Sequence, residues 1–142
     1  WADTDEYFGY GPGIYKEGAQ WLVDKKVRMV AYGCQANDHP IATKLVDHGL
    51  GPAQPHLIDE YKQETGRDPK VDFPDWEPAH KTLMVKGGIP GIENVGGDID
   101  QVTGKRCFFM ALPWRWTAGD GCIVRILAIV DPDQKFRFET GK

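Results

Sequence analysis

The chain has 142 residues, a net charge of −4, 41% hydrophobic and 27% charged residues. That length suits one ordinary domain, residues 1–142, with a buried core under a charged surface. An acidic chain with no clustered basic footprint argues against a nucleic-acid partner. No apolar run approaches the roughly 18 residues that span a bilayer, and the longest, residues 123–130, is broken by Arg125.

Residues 1–13 (WADTDEYFGYGPG) read as an irregular, aromatic-rich opening loop closed by a Gly-Pro-Gly turn. From Ile14 to Lys26 the apolar residues Ile14, Ala19, Trp21, Leu22 and Val23 sit partly at helical spacing, which predicts an amphipathic helix. The β-branched run Val27–Gly33 predicts a short buried strand. Helix followed by strand implies an α/β layer.

Residues 34–55, with three prolines, read mostly as loop, with room for a short helix from Ile41 to Asp47. Residues 56–65 (HLIDEYKQET) predict a surface helix stopped by Gly66, and 66–78 an exposed excursion. Pro78 suits a first helical turn, so a helix is expected from there through His80, Leu83 and Met84 to Gly87-Gly88. The chain then turns to β structure. Gly88–Val95 reads as a short edge strand because it contains Pro90. Arg106–Leu112 and Cys122–Val130 are the strongest predicted strands, joined by a Trp- and Gly-rich connection.

Cys34, Cys107 and Cys122 are odd in number and lack CxxC spacing, so buried, reduced thiols in a cytoplasmic protein are expected. The acidic, aromatic N-terminus is unlike a signal peptide.

No HExxH, Walker, Rossmann or GxSxG motif occurs. The histidines are His39, His48, His56 and His80. A helix, a Gly turn and a returning strand can bring His80 to Glu93, 13 residues later, and imidazole plus carboxylate is an ordinary ligand pair for zinc or manganese. Taken alone, the pair reads more readily as a half-exposed helix histidine and a surface glutamate. The run Cys34-Gln35-Ala36-Asn37-Asp38-His39 follows a predicted parallel strand, where α/β sites sit. It reads either as a site loop or as a polar turn with Asx chemistry. Trp114-Arg115-Trp116 could line a substrate pocket or make a subunit contact.

The stretches AHKTLMVKGGIPGIENV, GDIDQVTGKRCFFMALPWRW and GDGCIVRILAIV, in that order, resemble the C-terminal part of the cyclase family, which includes bacterial kynurenine formamidase and isatin hydrolase. The GPGI before a helix containing WL, and the strand near Val27, extend the resemblance over essentially the whole chain. It implies an α/β fold of the swivelling β/β/α type, here lacking its N-terminal strands, and a metal-dependent hydrolase acting on an amide, a formamide or a cyclic amide or lactone. It implies that His80 and Glu93 are catalytic and metal-site residues, with zinc or manganese as the divalent ion. By position, Asp38 and His39 are expected in supporting or pocket roles; Gln35, on the same loop, and Trp114, Arg115 and Trp116, by their composition, are expected as substrate-pocket residues. The family's HxGTHxDxPxH metal motif is absent from these 142 residues, and Trp1 corresponds to a tryptophan ending an internal strand of the family. A separate segment or chain is therefore expected to supply that motif, giving a homo-oligomer of the assembled unit with a small-molecule substrate. The rival expectation is a non-catalytic structural or binding module with the same fold.

Overall fold

The computed structural model of the chain describes residues 4–43, 56–133 and 135. It is a mixed α/β structure that divides into two compact units, residues 1–96 and 97–142. Among the described residues no helix is long and apolar enough to cross a membrane.

The first unit begins with helix α1 (Thr4–Tyr10), where the sequence predicts irregular loop. Its aromatic and glycine residues are weak helix formers, so tertiary packing outweighs local preference here. The Tyr7 hydroxyl donates to Asn94 Oδ1 and that of Tyr10 to Glu60, both far along the chain. Helix α2 (Lys16–Asp24) starts two residues later than its pattern predicts, because Ile14 is held outside it by a bond from its N–H to the Asn37 carbonyl (2.7 Å). Ala19, Leu22 and Val23 lie three and four residues apart on the face of α2 that meets the core. Trp21 points outward, with Lys25 Nζ 5.6 Å from its ring centroid.

The expected strand over 27–33 shrinks to β1 (Val30–Ala31), paired in parallel with β2 (Gly91–Ile92), Val30 opposite Gly91 and Ala31 opposite Ile92. Pro90 lacks an N–H, but its carbonyl accepts from Val30 N (3.1 Å), so the proline sits where only an acceptor is needed. The helix expected over 41–47 is, where described, a single 3₁₀ turn, Pro40–Ala42; residues 44–55 lie outside the described residues. Helix α3 (His56–Thr65) agrees with expectation. The supposed excursion after it contains a short helix, α4 (Pro69–Asp72), capped by Asp68, with Pro69 buried. Phe73 then packs edge-on to Tyr15 and Tyr61 and stacks on His39. The aromatic side chain folds this polar stretch back onto the protein.

Helix α5 (Pro78–His80) has proline in its first turn as the sequence predicts, and continues as a π-helical segment, Lys81–Lys86. Leu83 on that segment is fully buried and joins Ala19, Val30, Ala79 and Ile89 as the core of the unit. Met84, Val27 and Ile14 pack around this cluster.

The second unit opens with a 3₁₀ turn, Ile99–Gln101, and consists chiefly of an antiparallel hairpin, β3 (Cys107–Leu112) and β4 (Arg125–Val130). Cys107 lies opposite Val130 and Leu112 opposite Arg125. β4 begins three residues later than the apolar run predicts, because Cys122 belongs to the connection, where its Sγ accepts from Trp114 N (3.2 Å). All three thiols are free and half-buried, where full burial was expected.

Candidate functional site

Parallel strands end on the same side, so the loops leaving β1 and β2 begin together. Glu93 directly follows β2, and Asp38 ends the loop that leaves β1. Two more links tie these loops: Val95 N donates to the Tyr32 carbonyl and Asn94 N to the Cys34 carbonyl, each at 2.9 Å. The His80 ring lies between the two carboxylates. Its Nδ1 is 2.6 Å from Asp38 Oδ2 and its Nε2 is 3.1 Å from Glu93 Oε1. The Asp38 side chain is 1% exposed, while those of His80 and Glu93 are 26% and 29% exposed, so the Glu93 side of the ring faces outward.

Asp38 is fixed by the start of α5. Its two oxygens accept from Ala79 N (2.7 Å) and His80 N (3.0 Å), the unbonded donors of a first helical turn. Glu77, the residue before α5, makes no side-chain cap. A carboxylate 41 residues away in sequence therefore does the capping, helped by the positive end of the helix dipole. Glu93 is fixed in turn by the N–H of Asn37, which donates to Oε1 at 2.8 Å.

Two glycines permit this approach. A Cβ on Gly13 would lie 1.9 Å from His39 N and 2.4 Å from the Asp38 carbonyl carbon, so the Gly-Pro-Gly turn lets the chain press directly against the site loop. A Cβ on Gly91 would lie 2.7 Å from the Asn37 amide nitrogen and 2.4 Å from Met84 Cε, so β2 can pass beside the residue that holds Glu93.

The hydrogen bond to Asp38, reinforced by that to Glu93, raises the His80 pKa from 6.5 to about 10 against the opposing effect of burial. Burial pushes the Glu93 pKa up, but the bonds from His80 and Asn37 N–H outweigh it and the net direction is down. The phenol of Tyr32 is pushed up to about 12 by burial and by the nearby Asp38, Glu93 and Cys34. Without a bound cation, His80 is an imidazolium between two carboxylates.

The structure brings together His80, Glu93 and Asp38 of the residues the sequence singles out. Gln35 lies on the same loop, its Oε1 buried without a hydrogen-bond partner among the described residues. His39 has a structural role. Its Nδ1 accepts from Ile41 N (3.1 Å), its ring stacks on Phe73 at 5.4 Å, and burial lowers its pKa. Trp114, Arg115 and Trp116 belong to the second unit, exposed, with the tryptophan rings 5.2 Å apart. His56 is exposed on α3, and His48 lies outside the described residues. Sequence reasoning missed Asn37 as the group that positions Glu93, and Tyr7 and Tyr32 as neighbours of the site. The Asn37 contact is made by a backbone N–H, which leaves no mark on residue type.

Among the described residues no group of three or more His, Cys, Asp or Glu side chains is arranged to hold a metal ion. His80 and Glu93 do suit two positions around one ion. Tetrahedral zinc, with bonds of about 2.0–2.2 Å, would set the two donor atoms about 3.3–3.5 Å apart; they stand 3.1 Å apart, the distance of a hydrogen-bonded ion pair, so a zinc ion would require them to separate slightly. Asp38 on Nδ1 is the carboxylate partner that metal-bound histidines usually have. No protein-family model, curated protein or solved structure matches the chain.

Proposed function

We propose that the chain is the C-terminal portion of a metal-dependent hydrolase of the cyclase or kynurenine-formamidase type. In this reading the fold is the swivelling β/β/α domain without its N-terminal strands. The observation that carries the reading is the Asp38–His80–Glu93 arrangement beside the ends of two parallel strands, with an imidazole nitrogen and a carboxylate turned to one point. His80 Nε2 and Glu93 would hold zinc or manganese, and a segment or second chain with the HxGTHxDxPxH motif would complete the ligand set. The assembled unit would act in the cytoplasm as an oligomer.

When bound, the ion would supply an activated water and polarise the scissile carbonyl of an amide, formamide or lactone. The residues of this chain do the positioning. Asp38 accepts a hydrogen bond from Nδ1–H, so that once Nε2 gives up its proton its lone pair faces outward towards Glu93. Asn37 N–H keeps Glu93 turned to the same point. Loading the ion requires His80 to release its Nε2 proton, so metal uptake rises with pH.

Zinc and manganese titration of the completed enzyme, together with hydrolysis of formamide and lactone panels, tests the reading. His80→Ala and Glu93→Gln are expected to lose metal and activity together, by orders of magnitude. Full metal occupancy with undiminished turnover in both variants would remove them from the site.

One observation favours the non-catalytic module instead: Nε2 already lies within hydrogen-bonding distance of Glu93, so the triad is self-satisfied as an ion pair. The two readings separate on whether a second chain with the HxGTHxDxPxH pattern co-purifies and restores metal binding.

A further inference from the structure

The second unit carries an apolar surface of its own. β3 and β4 are apolar along nearly their whole length, CFFMAL and RILAIV, without the alternation that marks a sheet with one wet face. No residue of this unit among those described is buried. Phe109, Leu112, Leu127, Ile129 and Val130 are exposed. An isolated two-stranded hairpin is marginal in water, and an apolar edge strand is a template for another strand. Among the described residues β4 pairs with β3 alone, along one of its two edges.

From the sequence of β4 we infer that its other edge pairs antiparallel with β4 of a second copy, about a two-fold axis at Ala128. The run Arg125-Ile126-Leu127-Ala128-Ile129-Val130-Asp131 is self-complementary about its centre. In that register Arg125 faces Asp131 of the second copy, Ile126 faces Val130, Leu127 faces Ile129, and Ala128 meets its own equivalent. Facing residues share a face of the sheet. One face therefore joins Leu127 to Ile129 between two ion pairs, and the other joins Ile126 to Val130 around the small Ala128. Asp131 also interacts within its own chain, and a carboxylate accepts more than one donor. The β3 edge offers no such match. It is flanked by Lys105 and Arg106 at one end and Pro113 at the other, with no acidic residue between. A closed two-fold pair uses both copies of the β4 edge and ends there. The inference is independent of the hydrolase reading.

Charge swaps test it on the full chain by sedimentation equilibrium. The unchanged chain is expected to dimerise. Arg125→Asp sets Asp against Asp131 at both ends of the interface, and Asp131→Arg sets Arg against Arg125. Each alone is expected to weaken the dimer by about tenfold or more, since opposite charges become like charges twice. Mixing the two single variants restores opposite charges at both ends and is expected to give a heterodimer of near-native affinity. The double variant is expected to recover the homodimer. Two variants that failed only by misfolding would not rescue one another. A monomeric unchanged chain, open-ended assemblies, or failure of both the mixture and the double variant to recover dimer would each overturn the pairing.

Discussion

The two units solve the problem of burying apolar surface in opposite ways. In residues 1–96, short and irregular elements enclose Ala19, Val30, Ala79, Leu83 and Ile89, and backbone N–H groups hold the carboxylates of the polar triad. The hairpin in residues 97–142 has longer and more regular strands, but none of its described residues is buried. Regular secondary structure and a buried core are thus separable. The unit with the weaker strands holds the organised site. The unit with the stronger strands presents apolar surface of the kind that is covered in an assembly.

Titration should separate the units most strongly. In the metal-free protein the His80 pKa is raised from 6.5 to about 10, so its contribution to stability is complete below pH 6.5 and is lost as pH rises towards 10. Glu93 is shifted down from 4.5, so its contribution is present above that pH and is lost on acidification. Stability should therefore peak between about pH 4.5 and 6.5 and fall on the alkaline side by at most about 1.4 kcal/mol for each pH unit. Amide exchange would follow the loss in the first unit. The hairpin contains no histidine and should not respond over pH 6.5–8. In Asp38→Asn the alkaline slope should shrink and the His80 pKa, read by NMR, should drop towards its ordinary value.

Core truncation gives the next contrast. Leu83→Ala removes a fully buried side chain and should cost about 2–5 kcal/mol in urea unfolding. Leu127→Ala on β4, a residue 46% exposed, should cost under about 1 kcal/mol in dilute monomer, where little burial is lost. Equal losses at both positions would mean that the hairpin face is covered within the single chain.

Gly13→Ala should cost about 1–3 kcal/mol, because the added methyl group meets backbone that cannot yield without moving the Asp38 loop. Gly121→Ala in the second unit meets open space and should leave the midpoint within about 0.5 kcal/mol of the parent. The smallest effect is expected for Cys122→Ser, which replaces the weak sulfur acceptor of Trp114 N–H by a hydroxyl oxygen that can take the same bond. A change within about 0.5 kcal/mol and an unaltered circular dichroism spectrum would fit, and loss of the hairpin signal would give this thiol a larger structural role.

Much of the chain is legible without coordinates where local chemistry decides the outcome. Pro78 opens α5 because its missing N–H costs nothing there, and Gly66 directly follows α3. The β-branched and aromatic runs at 107–112 and 125–130 form the two longest strands among the described residues. His80 and Glu93 could be singled out as a pair because a turn and a short return bring the chain back on itself. Three features depend on contacts between distant segments. Helix α1 forms in a run of poor helix formers, with tyrosines that reach Asn94 and Glu60. Phe73 draws a proline-rich, charged stretch back onto Tyr15, Tyr61 and His39. Asp38, which reads as an ordinary turn residue, becomes both the cap of α5 and the partner of His80 across a gap of 42 positions. Propensity and periodicity act within about one turn of chain. A cap or a charge pair contributed from elsewhere exists only once the backbone has brought its donors and acceptors together, so the composition of the loop could suggest Asp38 but only the tertiary structure could assign it to His80.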